Sequence, residues 1–536
     1  MNRRSLLKAG AAAGVTASIA NIPIFANNPL HLLGSNALND DSILIIIQLF
    51  GGNDGLNTII PADDPKYLEI RPNIAIRNDN ANANLRPRRI LNSDVFFHPA
   101  LINGLHKNGF LGLMDEGRLA VIQGTGYENP NLSHFRSTDI WLSGFAGNSN
   151  DKALNSGWLG RYFSQQFPDF PAKLPAHPLS IQMGGTLSLA LQVQEGDMGI
   201  AIGNPDDFIK NGVGYSVNED ALGPTNYVDE FNYVKAIAKK CEIYNDVIKN
   251  AYTKGIIAPG IDYTNKGSLA TQMGIISKLI SGGLQSKVYM AYLGGFDTHV
   301  QQQNIAGDGQ HPILLSQLAN AISLFMDDAV KQGFADRVVG LTVSEFGRRP
   351  YENGSNGTDH GTVSVNFAFG TKVQANVFGT TPNFSDLDQN GDFSYDMQRN
   401  VDYRRLYSEI LETWFGATRE ESTDIFGERI VPLPYLQKPS TNIHDPIVNT
   451  GNGIYCSYDP VNINAAYLHF EIKKQSTILI QLYDSLGKFT SQVFNGNIEA
   501  GYHRLSMDLS NLNNGMYICE ISSGTYRHTT SVFVRH

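Results

Sequence analysis

The stretch "DSILIIIQLF" (41–50) is a nearly unbroken run of apolar residues. It ends abruptly at "GGNDGLN" (51–57), a glycine-rich polar loop that carries Asp54. A short apolar run bounded by turn residues is typical of a strand buried on both faces, as in parallel sheets covered by helices. We therefore predict that residues 41–50 form a strand of such a sheet, with the polar loop at its carboxyl end.

The same design returns twice along the chain. Residues 286–299, "SKVYMAYLGGFDTH", and residues 336–349, "DRVVGLTVSEFGRR", each pair a β-prone run with a polar loop that carries acids. Helical patterns lie between these strands, at residues 233–255 and 311–333. Strands that alternate with helices predict an α/β fold, with a mostly parallel sheet sandwiched by helices. Ligands gather beyond the carboxyl ends of such strands, so we expect the acid-bearing loops to act together.

The composition is that of an ordinary globular protein of 536 residues, with 42% hydrophobic and 17% charged residues. The formal net charge of −10 argues against nucleic acid as the main partner, because a phosphate backbone attracts basic surfaces. The three cysteines, Cys241, Cys456 and Cys519, are too few for a disulfide framework or a cysteine-based zinc site. A single bridge between Cys456 and Cys519 stays open as an alternative.

Residues 1–26 are predicted to be an export signal rather than part of the fold. Arg3 and Arg4 precede a hydroxyl residue, two leucines, a lysine and a mildly apolar stretch of small residues that ends at Ala26. This pattern resembles a twin-arginine signal, and it is too short and too rich in Ala and Gly for a membrane span. The resemblance implies export by the twin-arginine machinery, so the mature protein is expected outside the cytoplasm, first in the periplasm.

The character of the chain changes after residue 431. Residues 27–431 carry the alternating strands and helices, whereas residues 432–453 are rich in Pro, Asn and Gly and are typical of a linker. Residues 454–536 contain short segments of alternating apolar and polar residues, separated by turn residues about every 8–12 positions. This spacing predicts a small C-terminal all-β sandwich.

The C-terminal segment also resembles a known secretion module. The matching features are "YDSLGK" (483–488), "AGYHRLSMDLSNLNNGMY" (500–517) and a final basic strand. They resemble the C-terminal sorting domain of the type IX secretion system of Bacteroidetes. The resemblance implies passage across the outer membrane to the cell surface or the medium. A carbohydrate-binding or adhesive sandwich is the alternative that the pattern leaves open.

Five short stretches of the large region carry unusual polar chemistry. They are "GGNDGLNTIIP" (51–61), "NLSHFRSTDIWLSG" (131–144), "GGFDTH" (294–299), "SEFGRR" (344–349) and "GTDHG" (357–361). The candidate metal ligands they offer are Asp54, Asp297, His299, Glu345, Asp359 and His360. Carboxylates and imidazoles suit zinc, manganese or a similar divalent ion without any thiolate. Two such ions can clamp the attacking and leaving oxygens of a phosphoryl or sulfuryl transfer.

A nucleophile and an anion-binding group are predicted beside the metal. Ser133, at the start of a helix, would be activated by the metal and by the helix dipole. Arg136 or Arg348 would bind the non-bridging oxygens through a guanidinium fork. Plainer alternatives remain, because Ser133 also suits an N-cap, Asp54 suits a turn, and Glu345 suits a local ion pair with Arg348.

The same motifs carry a family resemblance. Together with "VDYRRLY" (401–407), they occur in the order found in the DUF1501 family of exported bacterial proteins, over residues 1–430. That family is placed with the alkaline phosphatase and sulfatase superfamily, whose members hydrolyse or transfer phosphate and sulfate esters at paired metal ions. The resemblance implies an alkaline phosphatase-like fold for the large region and a metal-dependent ester chemistry.

The resemblance also implies roles for single residues. Asp54 matches the first metal-binding acid, and Ser133 lies roughly where the nucleophile begins a helix. Two pairs match the remaining ligands: Asp297 with His299, and Asp359 with His360. The late third histidine of many superfamily members has no counterpart here, so His311 or Glu345 is the candidate replacement, or the site holds a single metal.

These observations lead to one main hypothesis and one alternative. The main hypothesis is an exported metal-dependent hydrolase of phosphate or sulfate esters, with zinc, manganese, calcium or magnesium bound and Ser133 or a metal-activated water as nucleophile. The alternative is a non-catalytic secreted binding or assembly protein on the same fold. A serine-triad hydrolase is disfavoured because no G-x-S-x-G motif occurs. "DLDQNGD" (386–392) begins like a calcium loop, but its twelfth position is Met397, so a hairpin turn is predicted.

Overall fold

The computed structural model describes two compact units, which divide after Gln437. In the larger unit it describes residues 41–146, 154–170, 173–194, 196–203, 243–381, 383–388, 391–393 and 400–437. In the smaller unit it describes residues 447–448, 455–458, 465–472, 475–484, 488–499, 501–523 and 526–534. The predicted twin-arginine signal, Cys241 and most of the predicted linker lie outside these ranges.

A mixed, mostly parallel sheet forms the centre of the larger unit. Its strands, labelled in chain order over the described residues, are β1 Ile43–Phe50, β2 Leu119–Gly126, β3 Ser180–Met183, β4 Ile200–Ile202, β5 Val288–Gly294, β6 Val338–Ser344, β7 Ser364–Phe369, β8 Val377–Phe378 and β9 Val401–Asp402. Their spatial order is β8-β2-β7-β6-β1-β5-β3-β4, with β9 also paired to β2. Only β7 among these strands runs antiparallel to its neighbours. The predicted α/β class is thereby confirmed.

Helices cover both faces of this sheet. In chain order they are α1 Gly55–Thr58, α2 Pro65–Ile70, α3 Gly109–Asp115, α4 His134–Ser143, α5 Trp158–Gln166, α6 at residues 243–254, α7 Ser268–Ser281, α8 Gln310–Gln332, α9 Arg404–Glu409 and α10 Arg419–Phe426. The helix predicted at 311–333 is α8, shifted by one residue. The helix predicted at 233–255 is described from residue 243 onward as α6.

Strand β1 is buried on both faces, as its unbroken apolar sequence predicts. Ile45 and Ile47 point into one hydrophobic core, which α3, α6, α7 and α8 cover. Leu44 and Ile46 point into a second core, which α4, α5, α9 and α10 cover. Side chains alternate between the two faces of a strand, so a central strand needs apolar residues at every position.

Helix α8 is the one helix among the described residues that is long and apolar enough to cross a membrane. Its most apolar window has a mean hydropathy of 1.3, and 72% of that window is buried inside the fold. Leu315, Leu318 and Ile322 lie in the first hydrophobic core. The apolar character of α8 is therefore accounted for by its packing against the sheet.

The smaller unit consists of antiparallel strands with a core of their own. The strands with four or more residues are Tyr455–Tyr458, Ala465–Ile472, Ser476–Asp484, Phe489–Ile498, Gly501–Asp508, Gly515–Ser523 and Tyr526–Val534. They form two sheets, one around Ala465–Ile472 and one around Ser476–Asp484. The predicted C-terminal β region is confirmed. Cys456 and Cys519 are both free thiols, so the bridge left open by the sequence is not formed.

The end of the larger unit is packed rather than extended. Tyr435 and Leu436 are fully buried, and Leu433 is 8% exposed. The Tyr435 hydroxyl donates a hydrogen bond to the Leu406 carbonyl at 2.9 Å. Residues 432–437, which the sequence pattern places in the linker, therefore belong to the packed part of the larger unit. The pattern missed them because prolines and polar residues separate the buried apolar side chains and hide any periodicity.

Candidate metal centre

Three strands bring their following loops together at one edge of the sheet. In the register of the parallel strands, Phe50 lies opposite Gly294, and Leu49 lies opposite Ser344. The loops after β1, β5 and β6 consequently start side by side, as predicted for the carboxyl ends of a parallel sheet. At Gly51, with φ of +120°, a Cβ atom would lie 2.2 Å from the Asp297 amide nitrogen, so only glycine allows this approach.

The centre of the site is a cluster of His134, Asp297 and His360, whose ligand atoms all lie within 4.8 Å of one another. Asp297 Oδ1 lies 3.5 Å from His134 Nε2 and 3.4 Å from His360 Nε2. His134 begins α4, and His360 lies in a short strand in which it pairs with Arg348. We name these three residues the histidine–aspartate cluster.

Two further predicted ligands border the histidine–aspartate cluster. His299 Nε2 lies 3.0 Å from His360 Nε2 and 3.2 Å from Asp297 Oδ1. Its other ring nitrogen, Nδ1, lies 3.0 Å from Asp359 Oδ1. Burial alone would raise the pKa of Asp359, but the hydrogen bond from His299 lowers it overall. The Nε2 atoms of His134, His299 and His360 therefore all face Asp297 Oδ1.

Glu345 stands behind the cluster and holds His134. Its Oε1 atom lies 2.7 Å from His134 Nδ1 and also accepts a hydrogen bond from the Gly51 amide at 2.8 Å. This hydrogen bond raises the pKa of His134, against the opposing effect of burial. His134 Nε2 is buried and has no hydrogen-bond partner. The carboxylate therefore fixes the ring so that its unsatisfied nitrogen is directed to Asp297.

His360 is held in a comparable way. Its Nδ1 atom lies 2.9 Å from the Leu132 carbonyl oxygen, which can only accept a hydrogen bond. The proton of the neutral ring is therefore on Nδ1, and the lone pair of Nε2 faces the cluster. Burial lowers the pKa of His360, which favours this neutral form.

Arg348 connects the loops instead of facing solvent. Its buried guanidinium donates to the carbonyl oxygens of Gly52 at 2.9 Å, Thr358 at 2.8 Å and Phe296 at 3.1 Å, and also to that of Gly51. It also donates to Asp297 Oδ1 at 2.8 Å. Burial alone would raise the pKa of Asp297, but Arg348 lowers it. The geometry makes Arg348 a positioning group for Asp297.

Asp54 lies in a different, fully buried network. Its Oδ2 atom accepts a hydrogen bond from Arg71 Nη1 at 2.7 Å and another from Gln302. Burial alone would raise the pKa of Asp54, but the Arg71 guanidinium lowers it. His311 belongs to the same region, 3.1 Å from Asn53 Oδ1, and burial lowers its pKa to about 4. The structure therefore places Asp54, which pairs with Arg71, and His311 in a buried network beside the other predicted ligands.

Ser133 and Arg136 frame the start of α4. Ser133 is exposed and is the N-cap residue, although its side chain makes no capping hydrogen bond. Arg136 lies in the first turn of the helix, where its charge acts on Tyr127 and Asp139. The sequence pattern identified this helix start and predicted Ser133 as a nucleophile, but it did not name the neighbouring His134 as a ligand. The signal that could have found His134 is that it is the one histidine of "NLSHFRSTDIWLSG" (131–144).

Comparisons with known proteins support the two resemblances found in the sequence. Residues 262–426 match the family model of DUF1501, described as a protein of unknown function. Residues 461–535 match the secretion system C-terminal sorting domain. Both resemblances are thus confirmed over these residues. No curated protein matches the chain. The first match contains all the predicted ligands except Asp54, whereas His134 precedes it.

Solved structures give weaker similarities. A protein of the alkaline phosphatase superfamily from Vibrio parahaemolyticus has a TM-score of 0.34 and 9% identity, covering 89% of this chain and 85% of its own. A protein from a glycosaminoglycan-metabolism locus of Bacteroides thetaiotaomicron has a TM-score of 0.31 and 9% identity, covering 86% and 90%. Both TM-scores lie below 0.5, so the roles of the residues follow from this chain's own geometry.

Proposed function

We propose that the protein is an exported, metal-dependent hydrolase of phosphate or sulfate esters. The observation that carries the proposal is the histidine–aspartate cluster, with three potential ligand atoms within 4.8 Å of one another at the carboxyl edge of the sheet. This edge is where α/β proteins bind their ligands. The predicted nucleophile, Ser133, precedes His134 directly in the sequence.

The residues present fit a divalent ion. His134 Nε2 is a buried nitrogen that makes no hydrogen bond and lies 3.5 Å from Asp297 Oδ1, and an unsatisfied buried polar atom carries a free-energy penalty that a bound ion would remove. His134, Asp297 and His360 would hold the ion, and the adjoining His299 and Asp359 would complete its surroundings or hold a second ion. Imidazole and carboxylate ligands suit zinc first, with manganese, calcium and magnesium as alternatives. When bound, such an ion polarises an ester oxygen as a Lewis acid.

The surrounding residues support this site in separate ways. Glu345 holds the His134 ring through Nδ1, as carboxylates commonly do behind metal-binding histidines. Arg348 orients Asp297. Ser133 offers an exposed hydroxyl at the N-terminus of α4, where the helix dipole favours developing negative charge. Arg136 is the remaining candidate for binding the non-bridging oxygens, because the guanidinium of Arg348 is occupied by carbonyl groups.

Export follows from the C-terminal segment. The sorting domain matched by residues 461–535 implies transport to the cell surface or secretion by the type IX machinery. We propose that the twin-arginine signal at residues 1–26 first takes the chain to the periplasm. With a formal net charge of −10, nucleic acid is not proposed as a partner.

One observation favours a non-catalytic binding or assembly protein instead. Arg348, which the sequence offers as an oxyanion-binding fork, donates to four backbone carbonyl groups and to Asp297. A chain that has lost turnover would keep such a structural arginine together with a metal site. Activity towards an ester separates this candidate from the hydrolase.

The test combines metal content with activity on the full-length exported protein. Wild type, His134→Ala, His360→Ala and the control His503→Ala, in the C-terminal unit, are analysed by elemental mass spectrometry. The same samples are assayed with 4-nitrophenyl phosphate and 4-nitrophenyl sulfate. Bound metal and turnover that both disappear in the two cluster variants support the hydrolase. Bound metal without turnover of either ester favours the binding protein. A wild type that stays metal-free after incubation with zinc, manganese, calcium or magnesium overturns the hydrolase and leaves the binding protein.

A further inference from the structure

A cavity of about 430 Å³ opens beside the histidine–aspartate cluster. Its wall includes Arg349, Tyr351, Glu352, Asn353, Asp359 and Asp388. Asp359 connects the cavity to the cluster through His299, whose Nδ1 atom lies 3.0 Å from Asp359 Oδ1 and whose Nε2 atom lies 3.0 Å from His360 Nε2. The volume lies within the range of roughly 300–1,000 Å³ that is usual for small-molecule pockets. A group held in this cavity would thus be adjacent to a substrate atom at the cluster.

Arg349 supplies hydrogen-bond donors to this cavity. Its backbone is fixed on both sides, since its amide donates to the Asp359 carbonyl at 2.9 Å and its carbonyl accepts from Arg71 at 2.8 Å. Its side-chain Nε atom is buried without a hydrogen-bond partner. Because this nitrogen is closed to solvent, an occupant of the cavity would be bound through the terminal guanidinium nitrogens of Arg349, for which the described residues offer no hydrogen-bond partner.

The other walls limit the chemistry of the occupant. Arg349 is the single basic side chain of the lining, whereas Glu352, Asp359 and Asp388 are acidic side chains. A second strongly anionic group would meet these three carboxylates, and like charges repel. An apolar group would displace water from Arg349 and Asp388 without replacing the hydrogen bonds that these side chains make to that water. The lining therefore favours a neutral group that both donates and accepts.

The remaining wall is flat and aromatic. The ring of Tyr351 lies against Gly391, whose φ is +74°, and a Cβ atom added at Gly391 would lie 3.2 Å from that ring. Tyr351 is 43% exposed, so one side of the ring is available to an occupant. An aromatic face beside groups that donate and accept suits a ring that carries hydroxyl groups, because its C–H face is apolar and its edge is polar.

We infer that this cavity binds a neutral polyhydroxylated group, such as a sugar ring or a cyclitol, that forms the alcohol part of the ester. That the polyol is part of an ester rests on the proposed hydrolysis, whereas the binding of the polyol itself does not depend on turnover. Arg349 and Asp388 provide the donor and the acceptor for its hydroxyl groups, and Tyr351 provides the flat face.

The first experiment measures binding without turnover. Saturation-transfer NMR follows glucose and myo-inositol with the full-length protein and with Arg349→Met, Asp388→Asn and Tyr351→Ala. Arg118→Met is the matched control, because its guanidinium pairs with Glu116 at the surface. We expect binding by wild type and by Arg118→Met, with Kd raised about tenfold or more in the cavity variants. Absence of binding of both polyols to wild type overturns the inference.

The second experiment measures turnover and separates the two proposals. Glucose 6-phosphate and glucose 6-sulfate are compared with 4-nitrophenyl phosphate and 4-nitrophenyl sulfate, using proteins whose thermal unfolding and metal content match wild type. Arg349→Met should raise KM for the sugar ester about tenfold while changing KM for the aryl ester less than about twofold. Equal effects on both esters contradict the cavity inference. Polyol binding without turnover of any ester supports the cavity and contradicts the hydrolase.

Discussion

At the scale of single residues, the hydrogen bond between Glu345 and His134 determines which nitrogen faces the cluster. Glu345→Gln should lower the affinity for zinc about 10- to 100-fold, because outer carboxylates orient metal-binding histidines and increase their basicity. The measurement is competition with a chromophoric chelator at constant pH. The control is Glu116→Gln, which alters a surface pair with Arg118. Unchanged zinc affinity in Glu345→Gln would contradict this role.

Asp392 gives a pH-dependent prediction away from the cluster. Burial raises its pKa to about 6 in the folded protein, whereas the unfolded value is near 3.8. Below pH 3.8 the carboxyl group is protonated in both states and has no effect on stability. As pH rises from 3.8 to about 6, the unfolded state loses its proton while the folded state keeps it, so the free energy of unfolding falls. Above pH 6 both states are ionised and the loss of stability levels off.

Asp392→Asn should therefore stabilise the protein at pH 7 but not at pH 4. The limit is about 3 kcal/mol, since one pKa unit corresponds to about 1.4 kcal/mol. The asparagine side chain can keep the hydrogen bond that Asp392 Oδ1 accepts from the Phe393 amide at 2.8 Å. Urea unfolding of both proteins at the two pH values checks the difference. A gain that is equal at pH 4 and pH 7 would rule out the titration of Asp392 as its cause.

The sequence predicted much of the site at this scale, but not all of it. Asp297 and His299 follow a strand of the sheet directly, so the fold class predicted their place at its carboxyl edge. Asp359 and His360 follow no strand of that sheet, and their role as ligands was implied by the family resemblance. His134 was missed as a ligand because the helix start was interpreted through Ser133, which matched the familiar pattern of a nucleophile at a helix N-terminus. The pairing of Asp54 with Arg71 was not predictable, because Arg71 lies beyond a short helix whose direction no local pattern determines.

At the scale of elements, strand β1 and helix α8 were readable because burial imposes a pattern on them. An apolar residue at every position predicts a strand buried on both faces, and apolar steps of three and four predict a helix with one buried face. The antiparallel direction of β7 was not readable. Its sequence, "SVNFAF" (364–369), is equally compatible with either direction, and the choice depends on long-range pairing with β2 and β6.

Helix α8 also contains a buried carboxylate that joins three elements. Asp328 Oδ1 accepts from the Ala258 amide at 2.8 Å and from Gln332 at 2.7 Å. Asp328 Oδ2 accepts from Ser277 at 2.6 Å and from Tyr263 at 3.1 Å. Removing the acceptor leaves these donors buried and unsatisfied.

Asp328→Ala should therefore lower the free energy of unfolding by about 3 kcal/mol or more. The comparison is Asp327→Ala on the same helix, whose buried carboxylate pairs with Lys107, Lys331 and His106. These partners are partly exposed and regain water when the carboxylate is removed, so this substitution should cost less. Chemical denaturation followed by circular dichroism gives both values. A loss in Asp327→Ala as large as that in Asp328→Ala would refute the assigned role of the buried network.

At the scale of the whole molecule, the two units have separate hydrophobic cores. The sorting-domain match lies within the smaller unit, and the candidate metal centre lies within the larger one. The sorting domain and the candidate metal centre therefore lie in different parts of the chain. The sequence predicted this division from composition, but it placed the end of the large region at residue 431, because the packed residues that follow lie between prolines and polar residues.

The position of that end is testable by truncation. A chain of residues 27–437 should unfold cooperatively with the metal content of the full-length protein, because it keeps all the buried residues that the structure describes in the larger unit. A chain of residues 27–431 loses Leu433, Tyr435 and Leu436, and each fully buried side chain of this kind contributes roughly 1.5–3 kcal/mol. It also loses the hydrogen bond from Tyr435 to Leu406. Urea unfolding should thus show a free energy lower by several kcal/mol for the shorter chain. Equal stability of the two chains would mean that residues 432–437 contribute nothing to the larger unit and that the linker begins at 432.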